Sequence, residues 1–395
     1  MKYALIIPDG AADEPVPQFD GRTPLMVAKK PNTDWVSING RQGRSVTVPK
    51  GFLPGSDVAI LSLFGYDPKV YFDGRAPLEA AAKGISTTSD QLIFRCNLVT
   101  VADGLMADFT AGHISQAESE KIIADLNERL AGQRCTFHSG VSYRNLLVVS
   151  DADDINVSCV PPHDFPNKPI ADHMPAGPGN KWVKELMERA RMILKDHDVN
   201  RVRRDLGENS ASDIWLWGQG RSKKFESFKE RFGLSAAVIT AVDLVRGIAL
   251  SGGMKLIDVP GATGYLDTDY QAKGKAAVEA LDKFDLVVVH VESPDEAGHQ
   301  GDADEKIKAI EQIDEHVVGP VLEALKAYDK WRILISPDHP TPVGSRLHSA
   351  TPPPFCLAGH AVHSVLAKPL TEDNAARSDL QINPGYDLME YFLKV

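Results

Sequence analysis

The chain has 395 residues, with 43 Lys+Arg against 54 Asp+Glu and a formal net charge of −11. A hydrophobic fraction of 43% and a charged fraction of 25% exclude collagen-like, coiled-coil and largely disordered chains, and the length predicts two or three domains. The acidic balance argues against non-specific nucleic-acid binding, which needs a net positive surface, but not against a small anionic substrate in a locally positive site.

The first strand is expected at residues 4–7, a short apolar run that Asp9 closes. That run is too short for an export signal, and nothing later approaches the ~18 apolar residues of a membrane helix. The four cysteines, Cys96, Cys135, Cys159 and Cys356, are widely spaced and read as reduced thiols. The expectation is therefore a cytoplasmic protein with no membrane partner.

Further buried strands are expected at 213–217, 237–239, 286–291 and 332–335, with helical periodicity at 272–281 and 307–325. Alternating strands and helices predict an α/β core in which a mainly parallel sheet lies between helices. Residues 86–172 have a different texture. Strand-like runs at 92–101 and 146–149, an amphipathic helix at 116–130 and an Asp103-Gly104 turn predict an inserted α+β domain. The core then comprises 1–85 and 173–395. The Pro-rich stretch 161–178 leads back to it, followed by a helix at 181–197 and the basic run Arg201, Arg203 and Arg204.

In open α/β sheets ligands gather at the carboxyl edge, just beyond the strands. Four places there carry the same residue types. Asp9 follows the first strand, Asp295 and His299 follow 286–291, Asp338 and His339 follow 332–335, and His348 comes shortly after. An Asp after a strand is commonly a helix cap, and a lone His is commonly just packed. Together, however, three Asp and three His make an oxygen and imidazole ligand set for divalent cations, enough for a pair of ions. Ser56, in Pro54-Gly55-Ser56-Asp57, is placed to open a helix whose free N–H groups attract phosphate. A serine hydroxyl becomes nucleophilic when a metal binds its oxygen.

Asp9, Pro54-Gly55-Ser56-Asp57, Ser62-Leu63-Phe64-Gly65-Tyr66-Asp67-Pro68, Asp295-Glu296-Ala297-Gly298-His299, Asp338-His339 and His348 resemble, in order, the alkaline phosphatase superfamily. Within it the chain resembles the archaeal-type cofactor-independent phosphoglycerate mutases, a branch that also holds bacterial proposed homoserine kinases. The resemblance runs to about residue 360 of the sequence.

The resemblance implies an alkaline-phosphatase-like core with two divalent ions. Mn²⁺ comes first, and Zn²⁺, Co²⁺ or Mg²⁺ would also suit the ligands. One ion would be held by Asp295, His299 and His348, the other by Asp9, Ser56, Asp338 and His339. Ser56 would take the phosphoryl group from phosphoglycerate and return it to the neighbouring hydroxyl, without 2,3-bisphosphoglycerate. The insert would act as a cap that keeps water out. From the residues themselves, a phosphorylated substrate also needs cationic partners, and Arg95, Arg144, His163 and Arg204 in or near the insert are the candidates. Alternative readings are a phosphotransferase with another acceptor, such as homoserine, and a phosphatase. The chain departs from the branch at His113, where arginine is expected, and in Pro340-Thr341-Pro342-Val343-Gly344-Ser345-Arg346.

Overall fold

The structure, a computed structural model, describes residues 1–130, 132 and 134–394. Its strands in chain order are β1 (Lys2–Pro8), β2 (Arg41–Ser45), β3 (Leu92–Ala102), β4 (Leu105–Asp108), β5 (Cys135–Val141), β6 (Arg144–Val149) and β7 (Asp213–Arg221). They continue with β8 (Ala236–Ile239), β9 (Lys255–Leu256), β10 (Leu286–Val291), β11 (Trp331–Ile335), β12 (Pro354–Gly359) and β13 (Gln381–Ile382). The chain divides into two units, Met1–Phe72 with Phe225–Val395, and Asp73–Lys224. No helix among the described residues is long and apolar enough to cross a membrane.

The first unit is built on an eight-stranded sheet, ordered β13-β2-β12-β11-β1-β10-β8-β9. Its centre is parallel. β1 lies between β10 and β11, with Ile7 opposite His290 and Ile6 opposite Ile335, and β8 continues beyond β10. Strands covered on both faces read as unbroken apolar runs, and accordingly every residue of β10 is buried. β12 turns antiparallel to β11 and carries β2 beside it. Helix Tyr270–Leu281 packs on β10 and β8, and helix Ala303–Ile313 packs on neighbouring helices, with Ala277, Leu281, Ile310 and Ile313 buried in one core. Both begin on an aspartate, Asp269 and Asp302, whose carboxylate accepts a first-turn backbone N–H. Helix Ser56–Leu63 packs against Asp243–Ser251 and Asp387–Lys394. Because β1, β10 and β11 run in one direction, their carboxyl ends share one edge, where Asp9, Glu292 and Ser336 begin three adjacent loops.

The second unit is an antiparallel sheet, β4-β3-β6-β5, with β7 on the other side of β3. It extends past the expected 86–172 insert at both ends. Helix Arg75–Ala82 packs Ala76 and Ala80 on Ile93, Leu146 and Val148. Helix Asn180–Lys195 buries Val183, Leu186, Ala190 and Leu194 in the other core, with Trp215 and Phe165. Residues 213–217, expected in the core parallel sheet, instead pair antiparallel with β3, from Leu98 opposite Ile214 to Arg95 opposite Trp217. An apolar run covered on both faces has the same pattern in either sheet, so periodicity did not separate them. The four cysteines are free thiols, and Cys96, Cys135 and Cys356 are buried.

Candidate metal centre

Three loops from the shared carboxyl edge of the first unit converge. Beyond β10, helix Ser293–Gln300 places Asp295 and His299 one turn apart on one face. His348 comes up to them. Asp295 Oδ2 lies 3.2 Å from His299 Nε2, Asp295 Oδ1 lies 3.4 Å from His348 Nε2, and the two imidazole Nε2 atoms are 2.9 Å apart. His299 Nδ1 is held by the Arg346 carbonyl at 2.9 Å, so its Nε2 faces the cluster.

Asp9, Asp338 and His339 form a second cluster, and all three side chains are fully buried. Asp338 Oδ1 accepts hydrogen bonds from the backbone N–H of Gly10 (3.1 Å) and of His339 (2.8 Å). Ser56, the first residue of helix Ser56–Leu63, has its Oγ 3.2 Å from His339 Nε2 and 3.4 Å from Asp9 Oδ2. All seven residues singled out in the sequence for this chemistry thus fall within two adjoining clusters.

A third grouping was missed. His290 Nε2 lies 2.7 Å from Asp9 Oδ2 and 3.5 Å from Glu292 Oε2. Its signal was present, since a histidine inside an apolar strand run must find a buried partner. Thr341 was also passed over. Its hydroxyl donates to Asp295 Oδ1 and lies 3.3 Å from His339 Nδ1.

The electrostatics are those of crowded carboxylates. Burial, and then the negative charges of Asp338 and Glu292, push the Asp9 carboxyl well above its ordinary value. Burial and the Asp295 charge raise Glu292 to about 8. Burial also raises Asp295, but hydrogen bonds from His299 and His348 outweigh it and hold that carboxyl well below its ordinary value. The hydrogen bond to Asp295 lifts His299 to about 9, and burial drops His290 to about 3. Buried Asp9 Oδ1 and Asp338 Oδ2 have no hydrogen-bond partner among the described residues. Buried acceptors without donors, crowded with like charges, are what a divalent cation relieves. The ligand atoms within each cluster lie within 4.8 Å of one another, so the residues fit divalent metals.

The substrate-binding candidates lie in the second unit. Arg95, on β3, is buried, with its Nε 3.1 Å from Glu79 Oε2 and its guanidinium 4.0 Å over the Trp217 ring. His163 meets the same Trp217 edge-on, at 5.1 Å between ring centroids. Arg144 is exposed beside Tyr143, and its charge, with that of Arg75, adds to burial in pulling the Arg95 pKa down to about 10. Arg204 is not part of this group. It is exposed, donates to the Lys195 carbonyl at 3.1 Å, and lines a surface cavity with Arg191 and Asp213. Arg203 of the same basic run is a packing residue, buried against Glu118 and the carbonyls of Ala111 and Gly112.

The comparisons agree with one another. Residues 38–200 match the family described as 2,3-bisphosphoglycerate-independent phosphoglycerate mutase. A protein of that name from Methanothrix thermoacetophila is 47% identical over the whole of both chains. One from Geobacter sulfurreducens, named a probable member, is 43% identical over the same full extent. Among solved structures, the cofactor-independent phosphoglycerate mutase of Thermoplasma acidophilum superposes with a TM-score of 0.70 at 27% identity, covering 100% of this chain and 99% of its own. A Pyrococcus horikoshii protein gives a TM-score of 0.84 at 28% identity over 99% and 96% of the two chains. With such identity from end to end, the chain belongs to the family of 2,3-bisphosphoglycerate-independent phosphoglycerate mutases.

Proposed function

We propose that the enzyme interconverts 3-phosphoglycerate and 2-phosphoglycerate by passing the phosphoryl group through Ser56. The observation that carries this reading is the place of the Ser56 hydroxyl, 3.2 Å from His339 Nε2 and 3.4 Å from Asp9 Oδ2 at the edge of the sheet. Asp9, Ser56, Asp338 and His339 would hold one divalent ion, and Asp295, His299 and His348 another, with Mn²⁺ the first choice. Ions bound there lower the pKa of a coordinated hydroxyl and balance the charge of the phosphoryl oxygens.

Ser56 Oγ forms a bond to phosphorus as the bond to the glycerate oxygen breaks, and the Ser56 proton ends on that departing oxygen. The second half-reaction reverses both transfers at the neighbouring hydroxyl of the same glycerate. Ser56 opens helix Ser56–Leu63, whose free first-turn N–H groups would favour a phosphoryl group carried on that serine. Arg95, Arg144 and His163 are the candidates for the substrate's remaining charges, with Arg204 lying apart from them. Arg95 and His163 share the Trp217 ring, and Arg144 is exposed beside Tyr143. The second unit is read as the substrate domain on their account.

The test is turnover of 3-phosphoglycerate by the Mn²⁺-loaded protein, coupled to enolase. The expected result is 2-phosphoglycerate formation that Ser56→Ala abolishes while the circular dichroism spectrum stays unchanged. An active Ser56→Ala variant would overturn the phosphoserine route. No mutase turnover, with homoserine phosphorylated from ATP, would overturn the mutase reading.

A further inference from the structure

The two clusters come from different elements, yet one side chain touches both. Thr341 is fully buried. Its hydroxyl reaches Asp295 Oδ1 on one side and His339 Nδ1, 3.3 Å away, on the other. A hydroxyl has one proton to give and lone pairs to accept with. The hydroxyl donates to Asp295 Oδ1, a carboxylate oxygen that accepts. The hydroxyl proton therefore points at Asp295, and the hydroxyl oxygen is left to accept Nδ1–H from His339. With the proton on Nδ1, the lone pair of His339 is on Nε2, the atom that faces Ser56 Oγ and lies 3.8 Å from Asp9 Oδ1.

The backbone of Thr341 is fixed as firmly. Its N–H donates to the Ala12 carbonyl at 3.2 Å, and its carbonyl accepts from Lys306 Nζ at 2.8 Å. Lys306 is itself buried and paired with Asp13 Oδ2 at 2.7 Å. Two glycines let the flanking elements close on it. A Cβ on Gly298, one residue before His299, would stand 2.4 Å from the Thr341 carbonyl oxygen. A Cβ on Gly10, one residue after Asp9, would stand 2.7 Å from the Thr341 hydroxyl. Real Cβ atoms do not approach so closely, so each cluster yields a side chain to make room for this threonine.

We propose that Thr341 is a positioning residue that joins the two metal subsites, its hydroxyl orienting Asp295 of one and His339 of the other. The inference rests on the two-ion reading of the centre. It makes the subsites interdependent: loss of this one hydroxyl loosens a ligand of each. Groups that orient metal ligands in this way commonly contribute about 10- to 100-fold in affinity.

The experiment is Mn²⁺ titration of the full chain by calorimetry, with electron paramagnetic resonance of the bound ions, on the wild type and on Thr341→Val, Thr341→Ala and Thr341→Ser. The Ala variant guards against a Val side chain that the carboxylate does not tolerate, and thermal melts of the metal-free proteins check each fold. The expected wild type binds two ions with a spin-coupled signal. Val and Ala weaken both binding events by about 10- to 100-fold and replace the coupled signal by that of isolated Mn²⁺, and Ser restores both. Two unchanged affinities in Val and Ala, or a loss confined to one subsite, would overturn the proposal while the two-ion reading stands. A wild type that binds fewer than two ions would remove the two-ion reading and this inference with it.

Discussion

His290 Nε2 lies 2.7 Å from Asp9 Oδ2, and neither side chain reaches solvent. On the far side of the ring, His290 Nδ1 is 3.0 Å from Thr240 Oγ1, and that oxygen accepts the Val242 backbone N–H at 3.2 Å. The chain of donors runs from Thr240 through a neutral imidazole to Asp9. It occupies Asp9 Oδ2 and, among the described residues, leaves Oδ1 without a hydrogen-bond partner on the side of His339. His290 thus orients the carboxylate without touching Ser56. His290→Leu should lower Mn²⁺ affinity by about 10- to 100-fold and lower turnover with it, whereas His290→Gln, which keeps a donor, should recover part of both. Calorimetric titration beside the enolase-coupled assay measures the two effects. Unchanged Mn²⁺ affinity in the Leu variant would show that Asp9 needs no such support.

Gly10 is the other fixed point beside Asp9. Its φ of +62° is left-handed, and a Cβ there would stand 2.6 Å from Asp295 Oδ1 and 2.7 Å from Thr341 Oγ1. Gly10→Ala combines an unfavourable backbone region, about 1 kcal/mol, with a clash against the Asp295 Cα at 2.7 Å as well as the two side chains, so the Asp295 backbone must shift too. The expected outcome is a protein that melts a few degrees lower and binds Mn²⁺ poorly. Gly21 has a similar positive φ of +78° but open space around its Cβ position. Gly21→Ala is the control, expected to share the backbone cost and keep full metal binding.

The central parallel strands β1, β8, β10 and β11 and the acidic residues just beyond three of them were legible in the sequence for the same reason, whereas β2 and β12 of the same sheet were not. A parallel strand buried on both faces is an unbroken apolar run, and the polar residue that ends it marks the sheet edge. Asp9 stands at such an end, and Asp295 and Asp338 follow a few residues beyond theirs. What stayed hidden depends on partners far away in sequence. Thr341 is an unremarkable threonine until its hydroxyl meets Asp295, 46 positions earlier. β7 has the apolar run of a core strand and is claimed by β3 across more than a hundred residues. The arginines are the hardest, because burial alone separates Arg95 and Arg203, paired with Glu79 and Glu118, from the exposed Arg144 and Arg204.

Arg95 and Arg144 should therefore respond differently. Arg95 is 6% exposed and held by Glu79 and the Trp217 face. Glu79 keeps a second partner, since Arg75 Nε lies 3.0 Å from its other oxygen. Arg95→Met should destabilise the protein by about 2 kcal/mol, less than loss of a sole buried partner. Arg144→Ala, at an exposed position, should stay within about 0.5 kcal/mol of the wild type. If Arg144 meets the substrate, its variant raises KM for phosphoglycerate with an unchanged melt. Urea unfolding followed by tryptophan fluorescence, with steady-state kinetics on the same preparations, separates the two. An Arg144→Ala enzyme with unaltered KM would remove that residue from the substrate-binding set.

Lys273 offers a test by pH. It lies in helix Tyr270–Leu281, is 1% exposed, and donates from Nζ to the His290 carbonyl at 3.4 Å. Burial pulls its pKa down to about 8, with the charge of Glu292 acting the other way. In the unfolded chain the same ammonium titrates near 10.4. Between those values the unfolded chain binds more protons than the folded one, so this group makes the protein more stable as pH rises through that window. Below about 8 the penalty of a buried ammonium is present in full. The window lies above that of Glu292, whose own raised value is about 8. Urea unfolding of metal-free wild type and Lys273→Met at pH 7, 8, 9 and 10 reads the difference directly. The wild type should gain on the Met variant by up to about 1.4 kcal/mol per pH unit above pH 8, with no such gain between pH 7 and 8. A difference that is flat from pH 8 to 10 would place the Lys273 titration outside that window and show that its ammonium is not the strained group its burial implies.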